Sequence, residues 1–302
     1  MSEPLVVEAV DLHKEYEGAK ALRGLTFGVP AGSICGFLGR NGAGKTTTIK
    51  VLLGMTRPTS GQARVFDLAP ENAEAGVEIR RRTGFVSDEK DLYDYMTVAD
   101  MIRFTAAFYP RWRADLEQLY IRRFDLPLHR AIKALSRGMR TRVAVLLALC
   151  RGAELLVLDE PTSGLDPAAA EDVLQTIVSH VAAEQTTVFF SSHQIAEVDQ
   201  IADRVVIIDN GRAVVSGALD DVRERFRRVQ LVFDGDAPDV TAAAFHAPGV
   251  ERVDRRGRVL TVLSSAGVET IVEEARLLNP VSVDVVPVTL KEIFLESVKV
   301  EN

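Results

Sequence analysis

Short apolar runs alternate with helical patterns from about residue 5 to residue 217. The runs are "SICGFLG" (33–39), "RTGFVS" (82–87), "ELLVLDE" (154–160), "TTVFFSS" (186–192) and "DRVVIID" (203–209). Each is apolar on both faces and bounded by turn or polar residues. That pattern predicts buried, mostly parallel strands and hence a layered α/β domain. Pro58 and Gly61 in "RPTSG" mark a turn before "QARVF". The stretch from about 97 to 151 lacks convincing strands and reads as several helices, a helical subdomain inserted in the α/β core.

Beyond residue 220 the pattern changes. "VQLVF" predicts a strand, "APDVTAAAFH" a helix and "VERVDRRGRVLTVL" a hairpin. "GVETIVEEARLL" predicts an amphipathic helix and "VSVDVVPV" a last strand. The order β-α-β-β-α-β suggests a small ferredoxin-like α+β accessory domain, closed by a helix at "TLKEIFLESV". The expected division is therefore 4–220 for the α/β domain and 221–302 for the accessory domain.

Composition narrows the class. A chain of 302 residues suits about two domains. The net charge of −7 leaves no positive excess for a nucleic-acid backbone, so no nucleic-acid partner is expected. The basic cluster "RERFRR" sits among acids and reads as a solvated helix face. Cys35 and Cys150 lie in apolar segments, as buried thiols do, and form no disulfide framework. "MSEPLVVEAV" lacks the basic and apolar regions of a signal peptide. No apolar stretch approaches the ~20 residues that span a bilayer, so a membrane role would require another chain to cross it.

The chemistry is concentrated in a few motifs. "GRNGAGKTT" begins at Gly39, directly after an apolar strand, and opens a helix. It matches G-x-x-x-x-G-K-[ST] in its strand–loop–helix context, which makes the fold class a P-loop NTPase core. Asn41, Gly42, Ala43 and Gly44 would turn backbone N–H groups toward phosphate oxygens, aided by a helix N-terminus. Lys45 would reach the β- and γ-phosphates, the Thr46 hydroxyl would ligate Mg²⁺, and Thr47 would complete the cradle. "LLVLDEP" delivers Asp159 to the end of a buried strand, where ligands sit in open α/β sheets. Asp159 would hold Mg²⁺ through water and Glu160 would polarise an attacking water.

With these motifs in place, residues 4–220 resemble an ATP-binding-cassette (ABC) ATPase, the nucleotide-binding subunit of a transporter. The resemblance places Tyr16, in "KEYEGAKAL", where the family stacks an aromatic on adenine. It makes "PTSGLD" the D-loop, with Asp166 at the contact between two subunits, and His193 the switch histidine that contacts the γ-phosphate. "LSRGM" is similar to the family's signature, usually Leu-Ser-Gly-Gly-Gln, and begins a helix. There Ser136, Arg137 and Gly138 would meet the γ-phosphate of ATP held by the opposite subunit. Arg140 and Arg142 are expected to face solvent or other acids.

Two positions depart from the family pattern. Met139 stands where the signature has glutamine. In "GFVSDEKDLY", Asp88 takes the place of the glutamine of the family's glutamine-loop, where it could ligate Mg²⁺ directly. "FVSDEKDLYDYMTV", "FYPRW" and "LSRGM" together are similar to a bacterial subfamily of single-cassette subunits that pair with separate permeases, mostly exporters. The resemblance implies an ATPase acting on ATP with Mg²⁺, as a head-to-tail homodimer or heterodimer. Its partner would be an integral membrane permease at the cytoplasmic face of the cell membrane. The competing readings are a soluble ABC ATPase acting on nucleic acid or ribosomes, a P-loop kinase or GTPase, and a nucleotide-binding scaffold with negligible turnover. Segment 84–112, with Leu92, Tyr93, Tyr95, Phe108, Tyr109 and Trp112, is the candidate permease-docking surface.

Overall fold

The computed structural model describes residues 4–298, in two compact units that divide between Ser216 and Gly217. The first runs through β1 (Leu5–Tyr16), β2 (Ala19–Pro30), β3 (Ile34–Gly39), α1 (Lys45–Leu52), β4 (Ser60–Val65), α2 (Ala73–Arg82) and β5 (Thr83–Val86). Then come α3 (Val98–Ala106), α4 (Ala114–Arg123), α5 (Arg137–Leu149), β6 (Leu155–Asp159), α6 (Pro167–Glu184), β7 (Thr187–Ser192), α7 (Ile195–Ile201), β8 (Arg204–Asp209) and β9 (Arg212–Ala218). One sheet has the order β5-β6-β7-β3-β8-β9, with β5 through β8 in parallel register. An antiparallel sheet has the order β2-β1-β4. All five expected parallel strands are present, and residues 97–151 carry only helices α3 to α5 and a short 3-10 turn.

The two sheets share one core. Val7, Leu12 and Leu25 from the antiparallel sheet pack with Phe37, Val157 and Phe189 from the parallel sheet, around Ile49 and Leu52 of α1. The rings of Phe27, Phe37 and Phe189 lie with centroids 5.0–5.6 Å apart. Removing one such ring would cost about 3–5 kcal/mol. This core fixes the position of α1 and therefore of the loop that precedes it. β3, β6 and β7 all end at the same edge of the sheet, where a doubly wound fold places ligands.

The second unit contains α8 (Leu219–Arg225), β10 (Arg227–Val232), β11 (Val250–Arg256), β12 (Val259–Ser264), α9 (Val268–Arg276), β13 (Ser282–Pro287) and α10 (Leu290–Ser297). Its sheet has the order β11-β12-β10-β13, the order of a ferredoxin-like unit. One sequence expectation fails here. "APDVTAAAFH" is not a helix; only Ala242–Ala244 turn, as a 3-10 segment. Pro238 disfavours a helical conformation at Ala237 before it, and the segment buries Ala237, Phe245 and Ala247 in the core of its unit without forming a helix. The expected boundary at 220/221 lies inside α8, whose Leu219 and Val222 are buried.

Candidate active site

The buried β3 ends at Gly39, and the loop beyond it requires glycine at both its ends. A β-carbon on Gly39 would stand 2.7 Å from the Ile208 carbonyl oxygen, and one on Gly44 2.8 Å from that of Ala21. Gly44 also has φ +110°, a conformation that side chains resist. It begins α1 without a side-chain cap, which leaves first-turn N–H groups for a ligand at the positive end of the helix dipole. Such an end suits phosphate.

Lys45 closes the loop. Its buried Nζ donates to the carbonyls of Gly39 at 2.8 Å and Arg40 at 3.3 Å, and lies 3.1 Å from Glu160 Oε1. Asp159, at the end of β6, is only 2% exposed. It accepts hydrogen bonds from Thr46 Oγ1 at 2.9 Å and from Ser191 Oγ at 2.6 Å. Ser191 Oγ in turn accepts the Glu160 N–H at 3.0 Å. Glu160 has φ +48°, unusual for this residue type, and its Oε2 lies 2.6 Å from His193 Nδ1. An open cleft of about 310 Å³ is lined by Asn41, Gly42, Gly44, Lys45, Thr46 and Thr47 together with Asp88, Glu160 and His193.

The oxygen pair Thr46–Asp159 fits a hard divalent cation such as Mg²⁺. Among the described residues, no three His, Cys, Asp or Glu side chains gather as a metal cage, so phosphate and water would supply the other ligands. Asp88 is exposed at the cleft wall.

Other expected site residues lie outside this lining. Tyr16 ends β1, 42% exposed, with Lys14 Nζ 4.6 Å from its ring centroid. Ser136 caps α5 by accepting the Met139 N–H at 3.2 Å. Gly138 sits in the first turn of that helix, and Arg137 Nη2 donates to Ser163 Oγ, a cleft residue, at 3.3 Å. Arg140 pairs with Asp94 at 2.6 Å and Arg142 with Asp172 at 3.3 Å, so both face acids. Asp166 caps α6 through the Ala169 N–H at 3.0 Å.

Comparison with known proteins decides which phosphate chemistry this cleft serves. The profile of the ABC transporter family matches residues 22–163. A bacitracin transport ATP-binding protein of Bacillus licheniformis is 35% identical over 226 residues, 74% of this chain and 73% of that protein. A fluoroquinolones export ATP-binding protein of Mycobacterium tuberculosis is 36% identical over 270 residues, 88% and 87% of the two chains.

The chain belongs to the ABC transporter ATP-binding family.

An ABC transporter ATP-binding protein of Bacillus subtilis, 26% identical over 296 residues, covers 96% of this chain and so spans its second unit as well. A solved ATP-binding subunit of an ABC transporter, 29% identical, superposes with a TM-score of 0.65 over 72% of this chain and 92% of its own. As an ABC ATP-binding subunit, the protein binds ATP and couples its hydrolysis to transport.

The structure adds three residues to this ABC site that the motifs above did not assign. Ser191 joins Asp159 to the Glu160 peptide. Glu197, 7% exposed, accepts from Ser192 Oγ at 2.6 Å and from Thr162 Oγ1, tying the turn after Glu160 to the strand end before His193. Lys90, 5% exposed, donates to the carbonyls of Asp88 and Glu160, each at 3.1 Å. Burial pushes its ammonium below the usual lysine range, against the pull of Asp88, Asp159 and Glu160. The paired serines ahead of His193 were a readable signal. Lys90 gave none, because a lysine between acids looks solvated.

Proposed function

We propose that this subunit is the ATPase motor of a bacterial transporter whose membrane-crossing permease is a separate chain, and that the transporter exports its cargo. Two cassettes, identical or related, pair head to tail. Each ATP lies between the cradle of one and Ser136, Arg137 and Gly138 of the other, with Asp166 at the contact. One observation carries the reading: Lys45, Thr46, Asp159, Glu160 and His193, drawn from separate stretches of the chain, meet around one cleft. The export direction rests on relatives such as the fluoroquinolones export protein. In this proposal the subunit sits against its permease at the cytoplasmic face of the membrane; among the described residues no helix is long and apolar enough to cross a membrane.

Each side chain has a task in this proposal. Lys45 holds the β- and γ-phosphates and Tyr16 stacks on adenine. Mg²⁺, held by Thr46 and Asp159, would neutralise phosphate charge, with Asp88 at the wall beside it. Glu160 accepts a proton as water attacks the γ-phosphorus, and the bond to the β-phosphate oxygen breaks to release ADP and phosphate. His193 orients the Glu160 carboxylate from the opposite oxygen. Closure on ATP and reopening on product release form a two-state cycle that a partner can read through differential affinity.

The permease contact falls on segment 84–112. Tyr93, Tyr95, Phe104 and Phe108 are 48%, 76%, 39% and 65% exposed and form a chain of ring contacts with centroids 5.1–5.8 Å apart. Exposed rings in a row suit interface anchors. Trp112 is different: its indole donates to Glu117 at 2.6 Å within the subunit. Co-purification from detergent extracts tests the proposal. An integral membrane protein should be retained, and ATPase activity should rise in its presence; a soluble subunit that recovers only nucleic acid or ribosomes would refute it.

A further inference from the structure

Lys90 lies in the turn between β5 and the exposed aromatic segment. The turn is closed on itself: the Lys90 N–H donates to the Ser87 carbonyl at 3.2 Å, and Ser87 Oγ donates to Asp91 Oδ2 at 2.9 Å. Lys90 adopts φ +53° and buries its side chain against the end of β6. Its ammonium takes one carbonyl from the turn, that of Asp88, and one from the strand end, that of Glu160. Both residues present their side chains to the nucleotide cleft.

Glu160 needs such support. A non-glycine residue at φ +48° persists only where its surroundings hold it there. The hold comes from Ser191 on its N–H, Lys90 and the Ser163 N–H on its carbonyl, and Lys45 and His193 on its carboxylate. Lys45 and His193 are also the groups assigned to phosphate. The grip of Lys90 on the peptide is independent of any phosphate, and it ties Glu160 to the segment that leads to Tyr93 and Tyr95. Space filling does not explain a lysine here, since a methionine of similar volume would avoid burying an ammonium held by two carbonyls.

We propose that Lys90 is a positioning residue for hydrolysis: it pins the Glu160 peptide to the 87–91 turn, so that the carboxylate faces the cleft correctly only while that turn is docked. The inference rests on Glu160 as the water-polarising group. Displacement of the turn by whatever binds the aromatic segment would shift the carboxylate without touching the phosphate cradle.

The test uses the full-length chain with Lys90→Met, Lys90→Arg and Glu160→Gln measured in parallel for kcat, KM and calorimetric ATP affinity. Misplacing a reacting group by about 1 Å costs up to ~10²-fold in rate. Lys90→Met is therefore expected to lose about 10- to 10²-fold in kcat, with KM and ATP affinity within about twofold of the parent. Lys90→Arg, which keeps the cation, should recover most of that loss. If Lys90→Met does not fold, Lys90→Gln takes its place, because its donor nitrogen is uncharged and one atom short of the lysine's reach. The proposal is overturned if the neutral variant keeps parental kcat while Glu160→Gln is inactive. It is overturned equally if ATP affinity falls in step with kcat, or if Lys90→Arg is as slow as Lys90→Met. A fully active Glu160→Gln would instead remove the reading of Glu160 on which it rests.

Discussion

Lys45 Nζ and Glu160 Oε1 lie 3.1 Å apart, both side chains largely buried. The cation assigned to phosphate and the carboxylate assigned to water therefore share one wall of the cleft. A phosphate oxygen bound at Lys45 would compete with this carboxylate for the ammonium. In the proposed mechanism, nucleotide binding and readiness of the base would thus be linked through one ammonium.

Replacing that ammonium should abolish productive binding. Charge-assisted hydrogen bonds contribute about 1.5–3 kcal/mol each, so Lys45→Ala is expected to weaken ATP by roughly 10²-fold or more. Calorimetry on the folded variant checks this. Unchanged affinity would show that the loop around Gly42 and Gly44 binds phosphate without its lysine.

Thr46 and Asp159 are the proposed holders of the cation. Thr46→Val keeps the shape and removes the oxygen, so the gain in ATP affinity that Mg²⁺ gives the parent should shrink by about tenfold or more, the scale on which even indirect metal contacts act. ATP titrations in Mg²⁺ and in EDTA measure the gain directly. A variant that keeps the parent's full gain would place the cation elsewhere.

Tyr93 and Tyr95 test the coupling surface. With both changed to Ala, ATP affinity of the isolated subunit should stay within about twofold, because neither ring lines the cleft. Permease-stimulated ATPase activity and transport should fall about tenfold or more, since interface aromatics are frequent hot spots worth about 2 kcal/mol or more. A complex of parental strength would move the docking surface off this segment.

His180 gives the fold a pH signature. It is buried in α6, its Nδ1 lies 3.0 Å from the Tyr120 hydroxyl of α4, and burial pushes it down to about 4. The unfolded chain binds this proton near the ordinary histidine value, about 6.5, and the folded chain does not. Stability from the neutral ring is therefore present above pH 6.5 and lost as pH falls toward 4. The expected loss between about pH 7 and about pH 5 is about 2 kcal/mol. Denaturant midpoints at the two pH values should converge for His180→Gln relative to the parent; equal acid sensitivity in both would discard the assignment.

The parallel strands were legible because burial on both faces leaves an uninterrupted apolar run, as at 34–39 and 155–159. The cradle was legible because Gly44 and Lys45 occupy positions that phosphate geometry dictates. The β1–β2 hairpin left no such trace. Val7 and Ala9 alternate properly, but Asp11 at φ +47° shifts the period so that Leu12 is the next buried residue. A bulge of this kind erases a period-two signal. The buried charges Lys90 and Glu197 were invisible for another reason: they are held by carbonyls and hydroxyls, some far along the chain, which no local pattern announces.

The central claim is that Glu160 polarises the water that cleaves ATP held by this cradle. Steady-state phosphate release by the parent and by Glu160→Gln, with ATP affinity and dimer formation measured on the same samples, tests it most directly. Loss of general-base assistance costs about 10²–10⁴-fold. The account predicts that Glu160→Gln loses turnover on that scale, keeps ATP, and accumulates as an ATP-bound dimer on gel filtration with Mg²⁺. Turnover near the parental rate in that variant would contradict it.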